Sequence, residues 1–271
     1  MRLWTLQLAL LVLAACERRE PPAGGDSRAP PSAAVAASKA EASEAPAPSR
    51  IIVHVDVEPL HLNPLAQPDE WGARIALGPI YQPLARLGAD GRLGPSGLTT
   101  RVDEAQDGLS YTFELRAGAR WHDGQPLGPG DVAATFERVI DPRGGLDALR
   151  RDLRDFHRIE IVGEQTLRLR FHRRNAFLPA VLAELPILPR AQVAWSGKGR
   201  APDLARQPLA RRPVGSGPYR FESWERGKQI VLRRDPGYSG VAAGIETVVF
   251  AFERDGARAL ASLRRGELDV F

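Results

Sequence analysis

Apolar residues recur along this chain with two periods, and the alternation between them sets an order of elements. Ile51 to Val57 is rich in β-branched residues and predicts a buried first strand. Pro59 and Pro64 keep Glu58 to Leu65 irregular and extended. Trp71 to Ile80 predicts a short helix, stopped by Pro83, and Leu84 to Leu93 a hairpin turning at Gly88 to Gly91. Tyr111, Phe113 and Leu115 alternate with Thr112, Glu114 and Arg116, the period of a half-buried strand. Asp107-Gly108 returns that strand from one at Leu98 to Val102. Gly130 to Ile140 then changes to helical spacing, with Val132, Phe136, Val139 and Ile140 on one face. Asp131 lies in its first turn, where the helix dipole favours a carboxylate.

The second half repeats the mixture. Phe156 to Val162 and Thr166 to Phe171 predict a hairpin around Gly163, and Leu167, Leu169 and Phe171 alternate with Arg168, Arg170 and His172. Ala176 to Leu185 predicts a short helix interrupted by Pro179. Tyr219 to Trp224 and Gln229 to Arg233 form another hairpin through Arg226-Gly227-Lys228. Ile245 to Phe252 is a strand, Gly256 to Arg265 a helix, and Leu268 to Phe271 the start of a further strand. There is no internal repeat. Hairpins mixed with strand–helix–strand units predict an α/β fold with a β-rich portion. The last residues, Asp269-Val270-Phe271, lie within an apolar run with no polar tail, so a truncated sequence is expected.

The N-terminus carries a different pattern. Arg2 precedes a short, mostly apolar stretch from Leu3 to Val12, followed by Leu13-Ala14-Ala15-Cys16. A small-residue site after a brief apolar core marks a secretory signal, too short to span a bilayer as a permanent helix. Cysteine directly after Leu-Ala-Ala resembles the lipobox of bacterial lipoproteins, which implies cleavage after residue 15 and acylation of Cys16. Several acyl chains hold a protein on a membrane far better than one, since each buried methylene contributes about 0.8 kcal/mol. Cys16 is the single cysteine, so no disulfide competes for it. Residues 16–50 are dominated by Ala, Pro, Ser and Glu, a composition that cannot bury enough surface to fold and predicts a disordered tether.

The folded part therefore runs over residues 51–271, enough for one sizeable domain or two small ones. The formal net charge is +4, carried almost wholly by arginine. Arg150-Arg151-Asp152-Leu153-Arg154 has its acid interleaved, and Arg211-Arg212 is a lone pair. A nucleic-acid footprint would need a basic stripe with interleaved aromatics, so no nucleic-acid partner is expected.

The longest informative run is Tyr111 to Leu127, in which a strand leads through Trp121-His122-Asp123-Gly124 and is followed at once by Gly130-Asp131-Val132 opening a helix. Asn63-Pro64-Leu65, Ile80-Tyr81-Gln82-Pro83-Leu84, Gly91-Arg92-Leu93, Pro213 to Tyr219 and Leu263 to Asp269 accompany it in order. This set resembles the family 5 extracellular solute-binding proteins, which feed peptides, nickel complexes and related solutes to ABC importers. Gly128 departs from the pattern where the family offers a hydroxyl cap. The resemblance implies a type II periplasmic-binding-protein-like lobe, with a mixed sheet and a β-rich subdomain. The family's second lobe would be absent from this chain. It also implies a monomeric, non-enzymatic binding protein outside the cytoplasm, held by its lipid anchor and docking on permease subunits. The segment after Asn63-Pro64-Leu65 would line the first-lobe wall of a cleft for a peptide or similar small polar solute, placing Gln67, Pro68, Asp69, Glu70 and Trp71 against the ligand. No cofactor is implied.

Competing chemistry is thin. His122-Asp123 reads as a turn, and Gly215-Ser216-Gly217-Pro218 is not the Gly-x-Ser-x-Gly elbow of hydrolases. His54, His61, His122, His157 and His172 have no metal spacing, and there is no phosphate loop. An orphan surface lipoprotein using the lobe as an interaction module is the second reading, and a secreted hydrolase the third.

Overall fold

The computed structural model describes residues 49–66, 68–195 and 199–271. The expected signal, Cys16, nearly all of the tether and Gln67 lie outside them. Two four-stranded sheets organise the rest. The first, mixed sheet has the order β1 (Arg50–Val55), β10 (Thr247–Phe252), β9 (Gln229–Arg234), β8 (Tyr219–Glu225). Its first pair is parallel, Arg50 opposite Thr247 through to Val55 opposite Phe252, and the other pairs are antiparallel. The second sheet is wholly antiparallel, β4 (Thr99–Glu104), β5 (Ser110–Leu115), β7 (Thr166–Phe171), β6 (Phe156–Ile161). A small ribbon of β2 (Ala85–Leu87) and β3 (Leu93–Pro95) completes the strands.

The period-two segments behave as their pattern requires. Tyr111, Phe113, Leu115, Leu167, Leu169 and Phe171 are all buried. Helix α2 (Pro129–Ile140) buries Val132, Phe136 and Val139, while Ile140 is only half-buried. Phe136 meets Phe156 with ring centroids 5.3 Å apart, and Phe156 and Tyr111 each meet Phe171 edge-on. Gly128 occupies the cap of α2 without a side-chain bond; instead its own N–H donates to Asp131 Oδ2 at 3.0 Å.

Several boundaries differ from expectation. Helix α1 covers Glu70–Ala76 and stops short of Ile80, because the chain turns extended at Leu77 and left-handed at Gly78. Pro179 opens helix α4 (Leu178–Glu184) rather than interrupting it, since the first turn has no use for its missing N–H. Helices α3 (Asp147–Asp152) and α5 (Arg190–Val193) carry too little periodicity to show in the sequence. Of Leu268 to Phe271, Val270 makes a single parallel bridge to Val53 beside β1.

The two sheets are joined where Gly215-Ser216-Gly217 passes the carbonyls of Pro79 and Ile80. Ser216 and Gly217 donate to Ile80 O at 3.0 and 2.8 Å, and Tyr219 donates to Pro79 O at 3.0 Å. A Cβ on Gly215 would sit 1.9 Å from Ile80 O, and one on Gly217 2.2 Å from Pro79 O. His122, from the turn after β5, closes the joint from the other side. Its backbone N–H donates to Gly215 O at 2.8 Å, its Nδ1 accepts from Gly215 N–H at 3.2 Å, and its Nε2–H reaches Gly217 O at 3.0 Å. Tyr81, fully buried beside this joint, donates to Gln192 Oε1 at 3.3 Å, and Gln192 Nε2 donates to Val214 O at 2.9 Å.

Gly215→Ala and Gly217→Ala must each push a methyl into backbone, and each is expected to cost about 3 kcal/mol or more in urea-unfolding free energy. An unchanged unfolding midpoint would refute the close approach. Burial holds the His122 imidazole below its ordinary pKa of 6.5, against smaller raising effects from the Gly217 bond and nearby acids. The unfolded chain therefore takes the proton first. Stability is full above pH 6.5 and falls as the pH drops through the folded value. His61, also buried, shifts the same way. Urea midpoints measured between pH 7.5 and 5 should fall, and His122→Gln should flatten part of that slope.

Candidate functional site

The parallel register of β1 and β10 brings two chain exits to one edge. Asp56 follows Val55, and Glu253 and Arg254 follow Phe252; Glu253 N–H donates to Val55 O at 3.0 Å. In open α/β sheets, ligands bind at the carboxyl ends of parallel strands. Asp255 then caps α6 (Gly256–Arg264), accepting from Ala257 and Arg258 N–H at 2.9 and 3.2 Å. On the opposite side stands α1. Its cap, Asp69, accepts from Gly72 N–H through Oδ1 and from Leu60 N–H through Oδ2, each at 2.7 Å. Gly72 packs so closely that a Cβ would lie 2.5 Å from His61 O.

Between these elements lies a cleft of about 460 Å³ lined by His54, Asp56, Glu70, Trp71, Arg74, Arg254, Gly256 and Phe271. The Trp71 indole N–H donates to Asp56 Oδ1, and the Arg74 guanidinium, paired with Glu70, lies 5.0 Å from the Trp71 ring centroid. Indole, guanidinium and two carboxylates thus form one polar wall. The facing wall is flat: the His54 ring lies parallel to Phe271 with centroids 4.9 Å apart, its Nε2 bonded to Glu253 O at 2.7 Å. Behind the cleft, Glu58 accepts from Trp224 Nε1, Arg226 and Gly227 N–H at 2.8, 2.9 and 3.1 Å, tying the β8–β9 turn to the loop after β1. Burial raises the Glu58 carboxyl, but these three donors outweigh it and leave its pKa lowered.

Of the five expected ligand residues, Glu70 and Trp71 line the cleft. Asp69 holds α1 in place with both carboxylate oxygens engaged, and Pro68 is half-buried just before it. His54, Asp56, Arg74, Arg254 and Phe271 were not singled out by the sequence. The signal was the pairing of the first strand with one nearly two hundred residues later, which periodicity does not contain. His122 and Ser216 form no acid–base pair: the His122 nitrogens are engaged with backbone, and Ser216 Oγ is buried without a partner. Among the described residues, no group of three or more His, Cys, Asp or Glu is placed to hold a metal. A second concavity, about 330 Å³ on the outer face of β8 and β9, is crossed by the Glu222–Arg233 ion pair.

A mixed sheet with a polar cleft at its parallel carboxyl edge, joined to an antiparallel subdomain, defines a lobe of a type II periplasmic binding protein. The chain belongs to the bacterial extracellular solute-binding proteins, family 5, whose middle-region model matches residues 95–271. It is 27% identical over 228 residues to the probable D,D-dipeptide-binding periplasmic protein DdpA of Escherichia coli, covering 81% of this chain and 42% of that one. The oligopeptide-binding protein AppA of Bacillus subtilis, solved with a nonapeptide, superposes with a TM-score of 0.69 at 24% identity, covering 81% of this chain and 43% of that one. AgaA from A. tumefaciens R10, solved with agropinic acid, gives 0.68 at 29% identity over the same shares. The chain therefore spans less than half the length of these relatives.

Asp69→Ala removes the acceptor of two backbone donors and is expected to cost about 1–2 kcal/mol. It should also release Trp71 from Asp56. The tryptophan emission that Trp71→Phe removes from the parent should be red-shifted when the same difference is taken in the Asp69→Ala background. An unshifted difference spectrum would show that the cap does not position the indole.

Proposed function

We propose that this chain is the first lobe of the binding protein of an ABC importer. It captures peptides or similarly sized polar solutes between two lobes, outside the cytoplasm, and delivers them unchanged to permease subunits. The observation that carries the reading is the cleft at the carboxyl edge of β1 and β10, within a chain of this family. Its wall offers both charge signs beside flat rings, which suits a short polar chain with backbone donors and acceptors. Relatives solved with a nonapeptide and with agropinic acid share this lobe, so it serves as a common frame on which solute choice is varied. Glu70 and Trp71 line one wall with Asp56 and Arg254, Asp69 supports it, and Gln67 and Pro68 are the further candidates for solute contact. Cys16 carries the lipid anchor, residues 1–15 are the signal, and residues 16–50 the tether.

Calorimetry of the full-length, two-lobed protein with tri-alanine, di-alanine and agropinic acid tests the solute class. Binding of at least one, weakened about tenfold or more by Asp56→Ala with Trp71→Ala, is expected for a wall of this kind. Heat changes absent for all three would remove the solute class, and binding indifferent to the double variant would remove the site. Palmitate labelling in a bacterial host, lost on Cys16→Ser, is the expected result for the anchor.

A further inference from the structure

The formal charge is far from evenly spread. Arg150 to Arg174 holds eight arginines against four acids, a net +4 equal to that of the whole chain. The fold gathers much of this stretch at one corner. Phe156 pairs with Phe171, a bulge follows between Phe156 and Arg158, and His172 N–H donates to Asp155 O at 2.8 Å, so the start of β6 lies against the end of β7. There the His157 and His172 rings stack with centroids 4.2 Å apart. Arg158 and Arg170 flank them, both on Glu160 Oε1 at 2.8 Å, with Arg168 a further 3.9 Å from the other oxygen. One carboxylate is thus shared by three guanidiniums. Desolvation, and then His172, Arg158 and Arg170, hold the His157 imidazole below its ordinary pKa.

The chain leaving this corner passes through Arg173 and Arg174, both exposed, and then presents Phe177 at 77% exposure. An exposed aromatic three residues along the chain from an exposed arginine pair suits a bilayer surface: the ring can sit at headgroup depth while the cations meet lipid phosphates. An acidic protein face would answer the charge but leaves Phe177 unexplained.

We propose that this corner, formed by Arg158, Arg170, Arg173 and Arg174 with Phe177 as its interfacial side chain, docks on the anionic headgroups of the bilayer to which the lobe is tethered. The choice of a bilayer rests on the anchored reading above. A linker from Glu17 to Ser49 reaches at most on the order of 120 Å. Such a tether keeps the lobe near the surface at high effective concentration, so a weak patch suffices to orient it. The corner lies on the antiparallel sheet, whereas the solute cleft lies on the mixed one.

The test uses the chain from Glu17 onward, so that neither the apolar signal nor acylation of Cys16 plays a part and the anchor is read separately. Flotation is measured with vesicles of phosphatidylcholine alone and with phosphatidylglycerol added. Binding should require phosphatidylglycerol and fall on raising NaCl from about 50 to 500 mM, as screening shortens the range of the field. Neutralising Arg173 and Arg174 with glutamine should weaken it about fivefold per residue. Phe177→Ser should lower the fraction retained at high salt while leaving the circular dichroism spectrum unchanged. Equal binding to both vesicles, or binding indifferent to the arginine changes, would overturn the proposal. Retention by native membranes but not by either vesicle would assign the corner to an acidic protein and overturn it equally.

Discussion

Backbone from three distant parts of the sequence meets at Gly215-Ser216-Gly217, and the rest of the lobe is arranged around that contact. The two glycines let the chain pass within hydrogen-bonding distance of the Pro79 and Ile80 carbonyls, where any side chain would overlap main-chain oxygen. His122 seals the same point with three bonds to the same two glycines. Because it both accepts at Nδ1 and donates at Nε2, only the neutral ring satisfies both partners. The antiparallel subdomain is thereby fastened to the mixed sheet by a joint that depends on shape and on one protonation state. The apolar core supplies cohesion, but it does not specify this relative placement, since hydrophobic burial is non-directional.

The cleft itself is built on the mixed sheet and the helix beside it. Its charged wall depends on α1 being held by Asp69 against Leu60 and Gly72, and on the loop after β1 being held by Glu58 against the β8–β9 turn. Neither carboxylate need touch a solute to matter. Each fixes backbone that carries a cleft residue, Trp71 in one case and Asp56 in the other. The wall is accordingly made of groups already paired with one another, Trp71 with Asp56 and Glu70 with Arg74. The wall thus offers oriented dipoles and compensated charges rather than a bare ion.

How much of this was legible beforehand follows from what a local pattern can encode. Alternation along Tyr111 to Leu115 and Thr166 to Phe171 identified buried faces residue by residue, because period two is a property of neighbours. The run through Trp121-His122-Asp123-Gly124 identified the family, and its reading as scaffold agrees with the joint found there. Long-range pairing was not legible. Nothing near His54 or Arg254 announces that they will face one cleft, and Trp71 and Glu70 came from a resemblance rather than from spacing. Short helices such as α3 and α5 were invisible because four to six residues complete too few turns to show a face.

Charge illustrates the same division from the other side. In sequence, the eight arginines from Arg150 to Arg174 are spread over the stretch with only four acids among them. Folding a hairpin changes who is near whom: Glu160 ends up serving Arg158, Arg168 and Arg170 together, so the excess is concentrated at one corner. Cation clusters of this sort are expensive to maintain unless something negative approaches them, because like charges across paired strands repel. The strain is tolerable on an exposed sheet face, where water and salt screen it. Glu160 relieves part of it from within the sheet, and a partner carrying several negative charges would relieve the rest.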